Sequence, residues 1–351
     1  MHDAALHLLF PYLQKPVPTL WFADESTAPL LQQLGSGLEH LHIVCNRYDI
    51  YQLAIERGIA AEYNDFISIS YRQKPARILY RVSKEKSLVD YLLSLSTHYL
   101  SDGGELVLTG HKQDGIKGYH DKIVKRCRCK GNLKKMGVAY LGSYTQCQPQ
   151  QGDCLSSDSY HHVQKIETRY IDVPFFYSKP GVFGWKKIDR GSQLLLSYLH
   201  ILLRGRETRN QSVLDLGCGY GWLFMNLRRY CFSRIVATDN NAAALLCAQK
   251  NSDAYELNAD IIASDAGDDL TEYFDWIMCN PPFHRGFKQS RSLTDQFVHS
   301  IAKRLCKTGN ALLVVNTFVP VEKIAPEYSL QTTLLGQQEG FKVLKLTHSS
   351  A

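Results

Sequence analysis

Residues 212–221 read SVLDLGCGYG, and an apolar segment with the sequence WLFMNL follows at 222–227. The run before the loop is typical of a short buried strand, and the loop carries glycine at every second position, Gly217, Gly219 and Gly221. Glycine allows tight backbone turns and close approach of a ligand, and the N-terminus of the next helix offers unpaired N–H groups. The stretch therefore predicts a strand, a ligand-binding loop and a helix, the opening unit of an α/β fold.

The chain after this loop continues to alternate between strand and helix patterns. We predict strands over 234–238, 261–264, 275–279 and 311–315, with helices over 242–250 and 293–307 between them. Such alternation predicts a parallel, doubly wound sheet whose ligand lies at the carboxyl ends of the strands. Four polar side chains fall at those ends: Asp215, Asp239, Asp265 and Asn280.

The charge of the loop indicates which ligand it binds. Glycine-rich loops serve NAD, FAD and S-adenosylmethionine alike, but here Asp215 stands two positions before the first glycine and the Gly-x-Gly-x-x-Gly spacing is absent. That carboxylate would repel a pyrophosphate and favour a cationic sulfonium ligand with its own ammonium group. Asp239 is placed to hold the ribose hydroxyls, and Asp265 to reach the adenine amine unless it is a solvated loop carboxylate. We therefore predict S-adenosylmethionine.

Residues 280–283 read NPPF directly after a predicted strand. An amino nitrogen conjugated to a ring or carbonyl is a poor nucleophile, and the Asn280 side-chain oxygen and Pro281 carbonyl could accept hydrogen bonds from both its N–H groups. Phe283 offers a flat surface for a base taken out of its stack, and His284 could accept the proton released later. The alternative is an ordinary turn, because Asn-Pro often begins one.

The first half of the chain echoes the second. Strand patterns at 41–47, 76–80 and 103–110, with a helix at 87–99, parallel those of the later half. The glycine loop is replaced there by WFAD at 21–24, the acidic strand end by Arg47, and the NPPF turn by RVSK at 81–84. We predict a degenerate domain for RNA binding or scaffolding over 1–145, a polar linker over 146–165 and a catalytic domain over 166–351.

A basic cluster in the first half is a candidate RNA-binding surface. Only Asp121 opposes eight cations, so the cluster could contact phosphates, although a solvated helix face and loop would have the same composition. Cys127 and Cys129 in the same stretch have no partner pair, and we predict no metal site. The eight residues are Lys117, Lys122, Lys125, Arg126, Arg128, Lys130, Lys134 and Lys135.

Composition is that of an ordinary globular protein of 351 residues, with 44% hydrophobic and 21% charged residues and a net charge of +6. The length predicts two domains, and the mild positive charge permits a polyanionic partner. Ten scattered cysteines without a CxxC pair favour reduced thiols over a disulfide scaffold. The lack of a long apolar run or a basic leader predicts a soluble, cytoplasmic protein, which we expect to be a monomer without membrane contact.

These motifs together make the chain similar to a known family. It resembles bacterial ribosomal RNA guanine-N2 methyltransferases of the RsmC type, in which a degenerate methyltransferase-like domain precedes an active one. The resemblance covers nearly the whole chain and is carried by GGEL at 103–106, PGVF at 180–183, Asp189 with Gly191 and Ser192, DLGCGYG at 215–221 and NPPFH at 280–284.

The resemblance implies two tandem Rossmann-like domains, S-adenosylmethionine as donor, and a guanine of 16S ribosomal RNA within the assembled small subunit as acceptor. It also implies that Asp215 and the loop glycines hold the methionine end, Asp239 the ribose and Asp265 the adenine. Asn280 and Pro281 would orient the guanine amino group, and Phe283 would stack on the base. Four alternatives remain open: guanine in 23S ribosomal RNA, a protein glutamine amide, adenine in DNA, or a non-enzymatic RNA-binding assembly factor.

Overall fold

The computed structural model describes residues 3–71, 74–148, 160–282 and 287–349, and of residues 287–292 the backbone alone. The chain divides into two compact units, Met1–His162 and Val163–Ala351. Each unit has its own seven-stranded sheet. Of the helices in the described ranges, none has both the length and the apolar character needed to cross a bilayer.

The first unit has the strand order β3-β2-β1-β4-β5-β7-β6. The strands β1 to β5 are parallel neighbours, whereas β7 pairs antiparallel with both β5 and β6. The strands are β1 Thr19–Ala23, β2 Leu41–Cys45, β3 Ala60–Tyr63, β4 Arg77–Arg81, β5 Glu105–His111, β6 Lys130–Met136 and β7 Ala139–Thr145. The α-helices are α1 Ala4–His7, α2 Phe10–Leu13, α3 Ala28–Leu31, α4 Tyr48–Glu56, α5 Lys86–Tyr99 and α6 Ile116–Arg126, with a 3-10 turn at Lys112–Asp114.

The second unit begins with a two-stranded hairpin, β8 Gln164–Glu167 and β9 Phe175–Ser178, and continues into a sheet of order β12-β11-β10-β13-β14-β16-β15. Its strands are β10 Ser212–Leu216, β11 Arg234–Asp239, β12 Asp260–Ala263, β13 Phe274–Cys279, β14 Leu305–Asn316, β15 Leu330–Gln338 and β16 Phe341–His348. The helices are α7 Arg190–Leu203, α8 Trp222–Met225, α9 Ala242–Ala254, α10 Phe287–Arg304 and α11 Val321–Ile324, with 3-10 turns at Asn226–Arg229 and Ala325–Tyr328.

The central strand β10 is buried on both faces. Val213 packs in the apolar cluster that includes Leu195 and Leu199 of α7. Leu214 and Leu216 point to the opposite cluster, which α10 covers. A strand covered on both sides needs a nearly continuous apolar run, which SVLDL supplies apart from Ser212 at its start and Asp215. The fold thus places one carboxyl group in the fully buried part of the strand.

The predicted sheet is corrected in two respects. It is mixed rather than wholly parallel, because β16 runs antiparallel between β14 and β15. The helix predicted over 293–307 ends at Arg304, and β14 starts at Leu305. The polar residues that follow Leu305 resemble a loop in sequence, but the pairing of β14 with β13 extends to Leu305 through a register shift.

The two sheets share their strand order and register, which confirms the internal repeat. In both, the first strand starts to pair with the second at its first residue, Thr19 with Leu41 and Ser212 with Arg234. Counting from these pairs, the four polar strand-end positions of the second unit, Asp215, Asp239, Asp265 and Asn280, correspond in the first unit to Phe22, Asn46, Phe66 and Val82. The counterparts expected from the sequence, Arg47 for Asp239 and Arg81 for Asn280, are each corrected by one residue. Of these four residues, Phe22 and Phe66 pack edge to face, with their ring centroids 5.9 Å apart.

The expectation of reduced cysteines is corrected by a disulfide between Cys129 and Cys147. These residues lie at the open end of the β6–β7 hairpin, where Lys130 pairs with Thr145. Sequence spacing does not reveal them as partners, because only the antiparallel pairing brings them together. The free cysteines among the described residues are Cys45, Cys127, Cys218, Cys231, Cys247, Cys279 and Cys306.

Candidate active site

The glycine loop between β10 and α8 uses conformations that other residues rarely adopt. Gly217, Gly219 and Gly221 have φ values of 77°, 58° and 97°. A β-carbon at Gly221 would lie 2.2 Å from the Phe224 ring, whereas one at Gly219 would meet nothing within 4 Å. The loop is therefore closely packed where it enters the helix and open at its tip.

Asp215 is the buried carboxyl group directly beneath this loop. It is 0% exposed, and its Oδ2 accepts a hydrogen bond from the Phe224 backbone N–H at 3.1 Å. Its Oδ1 is buried and has no hydrogen-bond partner among the described residues. Burial raises the pKa of this carboxyl to about 7, although the hydrogen bond from Phe224 opposes the shift. A buried, unpartnered carboxylate oxygen is costly unless a donor or cation completes it.

Asp239 ends β11 and contributes to the fold of the same loop. Its Oδ2 accepts the Gly219 N–H at 2.9 Å, and its Oδ1 accepts the Asn241 N–H at 2.8 Å. Its negative charge is a further cause of the raised pKa of Asp215, after burial. Two carboxylates near one loop make this end of the sheet electronegative, which suits a cationic ligand better than a pyrophosphate.

Asp265 follows β12 and is held between two amide groups. Its Oδ1 accepts from the Asn240 side chain at 2.8 Å, and its Oδ2 accepts from the Gln296 side chain of α10 at 2.9 Å. The carboxylate is thus oriented by protein contacts and is not a freely solvated loop residue. Each carboxylate oxygen can accept more than one hydrogen bond, so capacity remains for an amino group.

Asn280 follows β13 and contacts the start of α7. Its amide nitrogen donates to Asp189 Oδ2 at 2.9 Å and to Ser192 Oγ at 2.7 Å. Asp189 is the N-cap of α7, and the same Oδ2 accepts the Ser192 N–H at 2.9 Å. Pro281 is buried and Pro282 is exposed. Phe283 and His284 lie outside the described residues.

Asn251 of α9 ties the glycine loop to the hairpin before it. The residue is 0% exposed, and its side chain accepts the Tyr177 N–H at 2.6 Å while donating to the Tyr177 carbonyl at 2.9 Å. Its nitrogen also donates to the carbonyl of Tyr220, inside the loop, at 2.7 Å. The Tyr220 ring stacks on Phe176 with centroids 4.4 Å apart. One side chain thus links three segments of the second unit.

Two thiols, those of Cys218 and Cys279, lie at this end of the sheet. Burial, followed by the charges of Asp239 and Asp215, raises the pKa of Cys218 well above its usual value. Burial and Asp215 do the same for the pKa of Cys279. Both thiols stay protonated near neutral pH and are poor nucleophiles.

The basic cluster of the first unit lies on α6, on the edge strand β6 and between them. Seven of its eight cations are exposed, and Lys122 is the exception. The Lys122 ammonium binds both carboxylate oxygens of Asp90, at 2.6 and 2.8 Å. The seven exposed cations are Lys117, Lys125, Arg126, Arg128, Lys130, Lys134 and Lys135.

The structure brings the predicted polar residues together at the carboxyl ends of the parallel strands of the second sheet. Strand register places Leu216 beside Cys279 and also beside Thr238. The glycine loop, Asp239 and Asn280 therefore emerge from three adjacent strands.

Four residues at this edge were missed, in whole or in part, by sequence reasoning. Asn251 and Gln296 have no local signal, because each is a polar residue within a helix whose partners lie far away in the chain. Asp189 and Ser192 were identified from the sequence only as part of a motif. The sequence signal for Asp189 and Ser192 is that of a helix start, an N-cap aspartate followed three positions later by a serine.

Comparison with known proteins agrees with this arrangement. The family model described as Methyltransferase small domain matches residues 174–345, and its N-terminal counterpart matches residues 17–136. The ribosomal RNA small subunit methyltransferase C of Pseudomonas putida is 31% identical over 270 residues, which are 76% of this chain and 77% of the relative. This chain belongs to the ribosomal RNA small subunit methyltransferase C family.

Other members of the methyltransferase C family extend the match. That of Erwinia tasmaniensis is 27% identical over 336 residues, 94% of this chain and 92% of the relative. A Thermus thermophilus 16S rRNA N2 methyltransferase of the RsmC type, solved with AdoMet and guanosine, superposes with a TM-score of 0.82 over 99% of this chain and 92% of that one, at 24% identity. The last comparison confirms the tandem two-domain fold across both units.

Proposed function

We propose that this protein transfers a methyl group from S-adenosylmethionine to the exocyclic N2 amino group of a guanine in 16S ribosomal RNA. The observation that carries the proposal is the strand register of the second sheet. It sets Asn280, after β13, beside Gly217, after β10, because Leu216 and Cys279 are paired partners. A side chain that can accept a hydrogen bond from an amino group therefore lies next to a loop suited to a cationic cofactor.

The residues around the loop fit S-adenosylmethionine. The unpartnered Oδ1 of buried Asp215 supplies a negative acceptor for an ammonium group. The open space at Gly219 leaves room for a ligand against the backbone. We assign the methionine end to Asp215, Gly217, Gly219 and Gly221, the ribose to Asp239 and the adenine amine to Asp265. When bound, the cofactor supplies an electrophilic methyl group on a sulfonium.

The chain's own residues would act on the guanine amino group. The Asn280 carbonyl oxygen and the Pro281 backbone carbonyl would accept its two N–H groups, holding the nitrogen lone pair toward the methyl group. Phe283 would support the base by stacking. The amine becomes acidic only as the new bond forms, so no strong base is needed before attack. His284 is our candidate to accept that proton.

We assign RNA binding to the first unit. Its strand-end positions carry Phe22, Asn46, Phe66 and Val82 in place of the three carboxylates and the Asn280 amide of the second unit, which supports a role without catalysis. The seven exposed cations on α6, β6 and between them would contact phosphates. The names of the relatives support the small ribosomal subunit as partner, and such a substrate would place the protein in the cytoplasm. We propose residues 146–165 as the linker between the two roles.

Nucleoside mass spectrometry of ribosomal RNA tests this proposal. Cells lacking the protein should lose one N2-methylguanine from 16S RNA, and the wild-type protein should restore it. Asn280→Ala should fail to restore it while still binding S-adenosylmethionine in calorimetry. A loss from 23S RNA instead, or labelled methyl recovered in protein or DNA, would identify the corresponding alternative substrate. An unchanged RNA profile in both subunits would refute the proposed activity.

A further inference from the structure

The side chain of Asn280 can act as an acceptor only in one of its two orientations. An asparagine amide has nearly the same shape after a half-turn about its last bond, which exchanges oxygen and nitrogen. With the nitrogen facing the substrate, the group would present N–H donors to the N–H donors of an amino group. The proposed chemistry therefore requires something that fixes the orientation of this amide.

We propose that Asp189, assisted by Ser192, is the positioning residue that fixes it; this inference rests on the function proposed above. An ionised carboxylate accepts hydrogen bonds and cannot donate them. Because Asp189 Oδ2 lies 2.9 Å from the Asn280 side-chain nitrogen, the reversed amide would set two oxygens against each other. The carboxylate thus selects the orientation that leaves the Asn280 oxygen free for substrate.

Ser192 contributes to this contact without selecting the orientation. Its Oγ accepts from the Asn280 nitrogen at 2.7 Å. A hydroxyl can also donate, so the same group could bind the oxygen of a reversed amide. Selection therefore depends on Asp189, and Ser192 adds a second acceptor.

The start of α7 holds Asp189 in place. The Ser192 N–H donates to the same Oδ2 at 2.9 Å, which fixes the carboxylate at the helix N-terminus. Gly191 between them leaves the necessary space, because a β-carbon there would lie 3.0 Å from Asp189 Oδ2 and 3.2 Å from the Phe341 ring. In the local sequence DRGS, Asp189 is the helix cap, Gly191 leaves space for its carboxylate, and Ser192 is the second acceptor for Asn280.

The helix-cap role and the positioning role of Asp189 predict different results for two substitutions. Asparagine and serine are both good N-caps, so a cap-only role predicts that Asp189→Asn and Asp189→Ser are equally tolerated. Positioning predicts a difference. An asparagine oxygen held by the Ser192 N–H would still face Asn280, whereas a serine side chain is one atom shorter and reaches less far.

The test measures kcat, KM for RNA, the Kd of S-adenosylmethionine and the Tm for each variant. We expect Asp189→Asn to keep kcat within about threefold, and Asp189→Ser to lose about tenfold or more, with Tm and cofactor Kd unchanged. Ser192→Ala should lose a few-fold in kcat. Ser197→Ala is the matched control on α7, because the Ser197 hydroxyl is exposed and bonds only the Leu194 carbonyl among the described residues.

Equal kcat for wild type and Asp189→Ser would overturn the inference. The inference is also overturned if the activity that Asp189→Ser loses is explained by a lower Tm or a higher Kd of S-adenosylmethionine rather than by a lower kcat. Asn280→Ala separates this failure from that of the proposed function. If Asn280→Ala is inactive while Asp189→Ser is fully active, only the positioning role fails; if Asn280→Ala keeps the wild-type kcat, the role proposed for Asn280 fails and the inference fails with it.

Discussion

The carboxylate of Asp239 accepts the backbone N–H of Gly219 at 2.9 Å, across the gap between β11 and the glycine loop. The residue that we assign to the cofactor ribose thus also helps to fold the loop that would receive the methionine end. A carboxylate oxygen can accept further hydrogen bonds while keeping this one. Protein contacts therefore order the glycine loop and Asp239 before any ligand binds, which reduces the entropy lost on binding.

We predict that cofactor affinity weakens as the pH falls below about 7. The pKa of Asp215 is raised to about 7 by burial, and a bound ammonium would lower it, so binding below pH 7 must release a proton. The Kd should rise by up to about tenfold per pH unit in that range. Calorimetry from about pH 5.5 to 8.5 measures this. Asp215→Asn should bind weakly without that slope, and an unchanged slope in that variant would assign the proton to another group.

The same carboxyl group should affect the stability of the ligand-free protein. Its pKa is about 7 in the folded chain against an ordinary value of 3.8, so between these pH values the folded state holds a proton that the unfolded state has lost. The Asp215 contribution to the unfolding free energy therefore falls as the pH rises from about 4 to 7 and is constant above that. Urea denaturation of wild type and Asp215→Asn isolates this contribution, which should appear as a pH-dependent difference between the two.

Gly221→Ala should abolish cofactor binding and destabilise the second unit by more than about 3 kcal/mol. Gly221 has a φ of 97°, and a β-carbon there would lie 2.2 Å from the Phe224 ring. Gly205→Ala is the matched control, because Gly205 also has positive φ, 71°, but open space around it. That change should cost about 1 kcal/mol by strain alone. Similar losses in both variants by chemical denaturation would mean that packing at Phe224 is unimportant.

Asn251→Ala should lower the unfolding free energy by about 2–4 kcal/mol, because it leaves the buried Tyr220 carbonyl and the partly buried backbone groups of Tyr177 without this partner. Cofactor affinity should fall with it, since the Tyr220 carbonyl belongs to the glycine loop. Gln249→Ala on the same helix removes an exposed hydrogen bond to Asp253 and should change stability by less than about 0.5 kcal/mol. An Asn251→Ala protein as stable as this control would contradict the proposed link between the segments.

Neutralising the edge strand should weaken RNA binding in a salt-dependent way. A variant with Lys130, Lys134 and Lys135 changed to Gln should bind 16S RNA less tightly, and the slope of log K against log salt should be smaller by about one for each phosphate that the variant no longer neutralises. Lys122→Gln is the contrasting change, because that ammonium is bound to Asp90. It should reduce stability and leave the salt slope unchanged. Equal slopes for wild type and the triple variant in filter binding would remove β6 from the RNA surface.

The sequence was most informative where local patterns coincide with strand ends. The β10 run and its glycines predicted the loop, and β11 and β13 end where Asp239 and Asn280 were expected. These features depend on neighbouring residues and on the general rule that ligands bind at the carboxyl ends of parallel strands. They therefore required no knowledge of distant contacts.

The features that the sequence did not predict depend on distant residues. Asp189 and Asn280 are separated by 91 positions, so the Asp189 motif was visible in the sequence but its contact with Asn280 was not. The polar edge strand β6, KGNLKKM, lacks the apolar alternation of a strand, because lysines suit an exposed edge that must not pair with other chains. The Cys129–Cys147 bond likewise depends on the β6–β7 pairing.

The strand-end positions of the first unit carry residues that could not easily be replaced by the polar groups of the second unit. An acidic site like that of the second unit would require carboxylates in place of Phe22, Asn46 and Phe66. The rings of Phe22 and Phe66 contact each other in the core. Replacing either phenylalanine alone by a carboxylate would bury a charge and open a cavity, at a cost of several kcal/mol. A polar cofactor site in the first unit would therefore require several coordinated substitutions within a packed core.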